Sequence, residues 1–307
     1  MRFIESNGKK LSEVVLGIMR IDNMSEGEVL NLLNTAYEEG INVIDSADIY
    51  GRGQCENILG SVIKNNKALR EKFFIQSKCG IRIEDGYNWF DFSKDYIIES
   101  VDGILKRMNT EYIDALLLHR PDALMEPEEI AEAFETLEKA GKVRNFGVCN
   151  MNSSQIEYLK SCYKGNIIAN QLQLSCAFTP MIDASFNVNM QNEASCMKDD
   201  GVLNYCRMND IIIQSWSSLQ YGYFQGVFLD NEKYSKLNEV LNRIAEEQDV
   251  TKSAIAIAWI LRIPGKVQSV IGTTKDYRVR EIARACDVEL TKKQWYEIYA
   301  AAGNRLP

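Results

Sequence analysis

Four ionisable residues follow short apolar runs: Asp45 in Val43-Ile44-Asp45-Ser46-Ala47, Tyr50 five residues on, Lys78 in Gln76-Ser77-Lys78-Cys79-Gly80, and His119 after Leu116-Leu117-Leu118. Taken singly, each has an ordinary explanation. An aspartate at a strand end caps a turn, a tyrosine packs with a wet hydroxyl, a lysine is solvated or paired, and a lone histidine is a satisfied polar group. Taken together they match what acid catalysis at a carbonyl needs. Tyrosine is a weak acid, with an unperturbed pKa of about 10. A neighbouring ammonium favours the phenolate and lowers that value. An aspartate beside the lysine keeps it charged and oriented, and a histidine donates to the carbonyl oxygen. Such a set polarises an aldehyde or ketone and protonates the alkoxide as hydride arrives. It needs a hydride donor and no metal. One histidine and eight cysteines without a Cys-x-x-Cys pair form no conventional zinc set.

The elements that must bring these residues together are eight runs rich in Val, Ile, Leu and Phe: Val14–Met19, Val43–Ser46, Phe73–Ser77, Ile113–Leu118, Asn145–Cys149, Ile167–Leu172, Ile211–Ser215 and Val267–Ile271. Amphipathic stretches lie between them, at Ser25–Glu39, Phe92–Arg107, Glu126–Ala140, Ser153–Cys162 and Ser253–Leu261. Ser25 and Glu28 have the spacing of a capping box, which starts a helix. Near-continuous apolar strands alternating with helices read as a parallel sheet covered on both faces. Eight such units predict an α/β fold, a TIM-type (β/α)8 barrel in one domain spanning residues 1–307. Active-site residues of that fold sit at the C-terminal strand ends, where the four residues fall. No Gly-x-Gly-x-x-Gly follows the first run, which counts against a doubly wound dinucleotide fold. Asn7-Gly8 between Phe3-Ile4 and Lys10-Leu11 suits a type I′ turn, predicting an N-terminal β-hairpin that caps the barrel bottom. The long aromatic segment Ser217–Ser235 reads as a functional loop.

A net charge of −8 argues against nucleic acid or an anionic membrane as partner. The N-terminus has no signal-peptide core and no run is long enough to span a membrane. The expectation is a cytoplasmic protein with free thiols, acting on a small-molecule carbonyl substrate, as a monomer.

Several motifs carry a resemblance. Gly40-Ile-Asn-Val-Ile-Asp45-Ser-Ala-Asp-Ile-Tyr50-Gly51 and Leu137-Glu-Lys-Ala-Gly141-Lys142-Val-Arg144-Asn-Phe-Gly147-Val-Cys-Asn150 resemble the two signatures of the aldo-keto reductase family. The lysine after the third run and Leu-Leu-Leu-His119-Arg-Pro-Asp match as well. The likeness covers the chain from about Leu16 to about Arg280. It implies that Tyr50 is the general acid, that Lys78 and Asp45 tune it, and that His119 orients the substrate. It also implies NADPH, or less often NADH, extended across the barrel mouth. Asn150 and Gln171 match residues that hold the nicotinamide carboxamide, a task suited to amides because each both donates and accepts. Trp216 matches an aromatic that stacks on the nicotinamide, and Ser217 and Leu219 match the loop around the pyrophosphate. Met19 and Arg20 are placed beneath the ring. In Gly272-Thr273-Thr274-Lys275-Asp276-Tyr277-Arg278, hydroxyls, backbone N–H groups and two cations suit a 2′-phosphate, which points to NADPH over NADH.

Four positions, in three motifs, depart from the family pattern. Ser218 and Gln220 stand in a stretch that often reads Ser-Pro-Leu-Gly, Ile282 where an adenine-contacting Asn is common, and Cys149 where Ser is usual. A cofactor-sensing binding subunit with little turnover is the alternative to an enzyme. A Schiff-base role for Lys78 needs a depressed lysine pKa, which Asp45 opposes. Substrate choice rests on the loops Ile81–Phe92 and Gln220–Asn231 and on the tail from Gly303.

Overall fold

A computed structural model describes residues 1–84, 88–187 and 201–304, together with the Tyr87 backbone. The chain opens with strands β1 (Phe3–Ser6) and β2 (Lys9–Ser12), paired antiparallel with Ser6 opposite Lys9. Asn7 and Gly8 both have positive φ, 46° and 72°, as a type I′ turn requires. The barrel follows: β3 (Val14–Gly17), β4 (Val43–Asp45), β5 (Phe74–Cys79), and, after a second hairpin of β6 (Ile81–Glu84) and β7 (Tyr87–Phe90), β8 (Ala115–Leu118), β9 (Phe146–Cys149), β10 (Ile167–Gln173), β11 (Ile212–Trp216) and β12 (Val267–Ile271). Eight of these close in the order β10-β11-β12-β3-β4-β5-β8-β9, every pair parallel. They are the eight runs seen in the sequence.

Helices cover the outside: α1 (Glu26–Glu38), α2 (Gln54–Asn65), α3 (Ala68–Lys72), α4 (Lys94–Met108), α5 (Pro127–Lys139), α6 (Ser153–Cys162), α7 (Pro180–Phe186), α8 (Val202–Met208), α9 (Ser235–Glu247), α10 (Lys252–Leu261), α11 (Asp276–Ala283) and α12 (Lys292–Ala301). The Ser25 hydroxyl accepts from the Glu28 amide and the Glu28 carboxylate from the Ser25 amide, the predicted box. Helices α2, α3, α7, α8, α9, α11 and α12 lie outside the stretches expected to be helical. The first six open on no side-chain cap, so their starts carry no capping signal, whereas α12 opens on a capping box of Thr291 and Gln294 that the sequence offered. Within Ile81–Phe92, expected as a variable loop, β6 and β7 pair as a hairpin, with Ile81 opposite Phe90. Among the described residues no helix is long and apolar enough to cross a membrane.

Side chains alternate across each barrel strand. Outward, Leu16, Ile44, Ile75, Leu116, Leu118, Val148 and Ile213 join the helices in the larger core. Inward, Val15, Val43, Leu117, Cys149 and Ile212 form a smaller cluster that also contains Ile4 and Leu11 of the N-terminal hairpin. The hairpin thus closes the barrel bottom with its own apolar side chains. Burial of Leu11 there contributes about 2 kcal/mol. Above this plug lies an amide layer. Gln76 Nε2 donates to Gln214 Oε1 at 2.8 Å and Gln214 Nε2 returns a bond to Gln76 Oε1 at 2.9 Å. Strands β5 and β11 are not neighbours, so this pair crosses the barrel interior. Gln214 Nε2 also donates to Gln268 Oε1 at 2.9 Å, and Gln268 Nε2 to the Ser12 carbonyl at 2.8 Å.

Candidate active site

The C-terminal ends of β4, β5 and β8 bring Asp45, Tyr50, Lys78 and His119 together. Asp45 is the last residue of β4. The chain then turns through a 3-10 segment, Tyr50–Gly53, in which Gly51, Arg52 and Gly53 all have positive φ. At Gly51 a Cβ would lie 2.8 Å from the Asp22 Cβ, so the close turn that presents Tyr50 needs glycine. Lys78 projects from β5, and the His119 amide donates to the Cys79 carbonyl at 2.9 Å.

Lys78 is fully buried and its Nζ is saturated. It donates to the Asp45 carboxylate at 2.8 Å, to the Ser46 carbonyl at 2.6 Å and to the Tyr50 hydroxyl at 3.1 Å. Burial works against its charge, but Asp45 and Tyr50 outweigh burial and raise its pKa above the ordinary lysine value. Asp45 Oδ1 also accepts from Gln76 Nε2 at 2.6 Å and Gln171 Nε2 at 3.0 Å, so the amide layer is a platform under the ion pair. Burial pushes the Tyr50 phenol up to about 12, only partly opposed by the Lys78 charge. The Lys78 charge alone would lower the phenol's pKa, as its motif position predicts; burial reverses the direction. The phenol therefore holds its proton at neutral pH. The His119 ring stands edge-on to Tyr50 with centroids 5.9 Å apart. Burial first, then the charges of Lys78 and Arg120, hold its pKa well below the usual value. The imidazole is neutral, with one N–H to donate.

A cleft of about 950 Å³ runs from these residues across the barrel mouth. Met19, Arg20, Asn150, Gln171, Trp216, Ser217, Leu219, Gly272, Thr273 and Arg278 line it; Thr274 and Lys275 do not. Trp216 Nε1 donates to Asn150 Oδ1 at 3.1 Å, and Arg20 reaches across to the Gly272 carbonyl at 3.1 Å. Neither Arg20 nor Arg278 has a carboxylate partner among the described residues. Ser218 is buried, and its hydroxyl meets those of Ser215 at 3.0 Å and Ser269 at 2.8 Å, a serine cluster where the family pattern has proline. Ile282 lines the cleft and offers no polar contact. The Cys149 thiol, pushed up to about 12 by burial, stays protonated. From the loops Ile81–Phe92 and Gln220–Asn231, Ile81 and Asn88 of the first and Gln220, Tyr223, Phe224, Val227, Leu229 and Asp230 of the second reach the cleft. Trp89 instead carries the Arg82 guanidinium, 4.6 Å from its ring centroid. Of the tail, Gly303 and Asn304 are described and residues 305–307 lie outside the described residues.

Three residues here went unread in the sequence. Glu56 is fully buried on α2, accepting from Ser77 Oγ and Arg107 Nε, both at 2.7 Å. Asp48 has a buried Oδ1 without a hydrogen-bond partner, and burial, with the Glu56 charge second, pushes its carboxyl up to about 7. Arg120, beside the histidine, lies over the rings of Trp216 and Tyr223. Its position straight after His119 was the available signal.

The model of the aldo/keto reductase family matches residues 13–302. Oxidoreductase YdhF of Escherichia coli (strain K12) is 32% identical over 306 residues, covering 97% of this chain and 96% of that protein. The 6-dehydroglucose reductase of Agrobacterium fabrum is 32% identical over 311 residues, covering 98% and 97%. An aldo-keto reductase from Klebsiella pneumoniae, solved in complex with NADPH, superposes with a TM-score of 0.78 at 20% identity over 100% of this chain and 98% of that one, a likeness of fold. Barrel, strand-end residues and family match agree: the chain belongs to the aldo/keto reductase family and is an NAD(P)H-dependent oxidoreductase.

Proposed function

We propose that the chain reduces an aldehyde or ketone with NADPH, with Tyr50 as general acid. The observation that carries this reading is the junction at Lys78 Nζ, which holds the Asp45 carboxylate at 2.8 Å and the Tyr50 hydroxyl at 3.1 Å. The residues present fit the cofactor. One cleft is lined by both Tyr50 and Arg278, and its lining includes the cations Arg20 and Arg278, neither with a carboxylate partner among the described residues. Asn150, Gln171 and Trp216 would hold the nicotinamide end, Ser217 and Leu219 the pyrophosphate, and Thr273 and Arg278 the 2′-phosphate. When bound, the cofactor supplies hydride to the carbonyl carbon.

The chain's own residues do the rest. Tyr50 keeps its phenolic proton at neutral pH and gives it to the developing alkoxide oxygen. Lys78 stabilises the phenolate so formed, its charge held by Asp45. The neutral His119 donates its one N–H to the same oxygen and fixes the approach of the carbonyl. The saturated contacts of Lys78 tie it in place, which suits a stabilising cation and not a Schiff-base amine.

The test is oxidation of NADPH by purified protein across a panel of aldehydes and ketones, including sugar-derived aldehydes, as the name of the Agrobacterium relative recommends. Oxidation is expected only with a carbonyl present. Tyr50→Phe is expected to lower kcat by roughly 10²–10⁴-fold while leaving NADPH bound. Normal turnover by Tyr50→Phe would remove the acid role. Absence of carbonyl-dependent oxidation throughout the panel would overturn the reading itself.

A further inference from the structure

Arg120 stands next to His119 and lines the same cleft, half-buried. Its guanidinium carbon is 5.3 Å from the Trp216 ring centroid and 5.4 Å from that of Tyr223, two rings set edge to face 6.1 Å apart. The aromatic corner positions the cation without neutralising it. Among the described residues Arg120 has no ion pair, and no hydrogen bond is made by its five N–H donors. Other arginines near the barrel are answered: Arg70 by Asp114 at 2.9 Å, Arg82 by Asp91 at 3.0 Å and Arg107 by Glu56 at 2.7 Å. Among the described residues three acidic side chains line the cleft, and none answers Arg120. Asp45 is taken by Lys78, Asp230 by Lys252, and Glu281 belongs to the opposite, Arg278 end. Among the described residues, Arg120 beside His119 is therefore a guanidinium without a counter-charge in a cleft whose lining also includes the apolar Ile49, Ile81, Phe224 and Val227.

We infer that Arg120 is an anion subsite of the substrate pocket, and that the preferred substrates are aldehydes or ketones carrying a carboxylate on an apolar spacer. A planar carboxylate meets a guanidinium through two parallel N–H···O bonds. A single cation, with Lys78 already balanced, suits a monoanion. This rests on the carbonyl-reduction reading and adds the substrate class.

The experiment measures kcat/KM with NADPH for two matched pairs: para-carboxybenzaldehyde against para-methylbenzaldehyde, and succinic semialdehyde against butanal. The wild-type protein is expected to prefer the carboxylated member of each pair by roughly 10- to 100-fold, the range of a charge-assisted hydrogen-bonded contact. Arg120→Gln is expected to collapse that ratio towards one, and Arg120→Lys to retain part of it. NADPH titration of both variants checks that the barrel is intact; should Arg120→Gln fail to bind, the ratio is read in Arg120→Lys. Neutral aldehydes reduced as well as their carboxylated partners would overturn the subsite and leave carbonyl reduction standing. So would an unchanged ratio in the variants, or glyceraldehyde 3-phosphate preferred over succinic semialdehyde. No reduction of any aldehyde would instead overturn the function on which the subsite rests.

Discussion

Trp216 Nε1 donates to Asn150 Oδ1 at 3.1 Å, linking the end of β11 to the residue after β9 across the intervening β10. Asn150 has φ 56°, a left-handed conformation that glycine tolerates and alanine does not. With its oxygen engaged by the indole, its NH2 has no protein partner among the described residues and is the group left for a carboxamide oxygen. Asn150→Gly keeps the backbone, removes that donor and frees the indole. It is expected to weaken NADPH binding about 5- to 10-fold, the value of one hydrogen bond. Titration followed by tryptophan quenching checks it; an unchanged Kd would take Asn150 out of the cofactor site.

The amide layer under the ion pair makes a separate claim about stability. Among the described residues Gln214 is the sole donor to Gln76 Oε1 and to Gln268 Oε1, both on fully buried residues. Gln214→Leu strands both acceptors, at a cost of about 1–3 kcal/mol each. The Tm is expected to fall by roughly 5–20 °C, at about 2–4 °C per kcal/mol. Thermal unfolding by circular dichroism reads this directly, and a Tm within a degree or two of wild type would mean that the layer adds nothing.

What was legible in the sequence was whatever local pattern encodes. The eight strands are apolar runs, the I′ turn is Asn7-Gly8, and the α1 start is Ser25 with Glu28. The four strand-end residues stood out because each follows such a run. Illegible were the consequences of closure. Nothing local marks Gln76 and Gln214 as partners, because they meet across the barrel from strands that are not neighbours. Glu56 reads as a surface residue of an amphipathic helix until α2 packs on Ser77 and Arg107. The Tyr50 pKa went the other way for the same reason: adjacency of Lys78 is visible in motif order, whereas the depth of burial is a property of the folded mouth.

Asp48 supplies a pH dependence. Its carboxyl is raised from 3.8 to about 7, by burial first and the Glu56 charge next. Between roughly pH 4 and 7 the folded chain keeps this proton and the unfolded chain has lost it, so the contribution of Asp48 to stability falls as pH rises through that window. The penalty is complete above the folded pKa and vanishes below the unfolded one. Asp48→Asn removes the charge that is penalised. Its Tm is expected to exceed wild type near pH 8, with the difference shrinking as pH approaches about 4. Thermal melts of both proteins across that range decide it; a difference constant with pH would mean that Asp48 does not titrate there.

The cations after β12 are not equivalent. Arg278 lines the cleft, whereas Lys275 does not; it forms the start of α11, its amide bonded to Thr273 Oγ1 at 3.1 Å. A 2′-phosphate on the cofactor would therefore meet the Arg278 guanidinium, which presents a fork suited to phosphate oxygens. Arg278→Ala is expected to weaken NADPH roughly tenfold or more, as loss of a charge-assisted contact does. NADH, lacking that phosphate, should shift by less than about twofold, and Lys275→Ala should shift either cofactor by less than about threefold, as expected of an exposed charge screened by salt. The same helix also brings Glu281 to the cleft, a carboxylate that would repel a phosphate and accept from a ribose hydroxyl. Preference for NADPH then depends on Arg278 outweighing Glu281, and Glu281→Gln should widen it. Parallel titrations of the three variants with both cofactors separate these terms. Equal losses for NADPH and NADH in Arg278→Ala would place Arg278 on the pyrophosphate, and tighter NADH binding by the wild-type chain would assign the selectivity to Glu281.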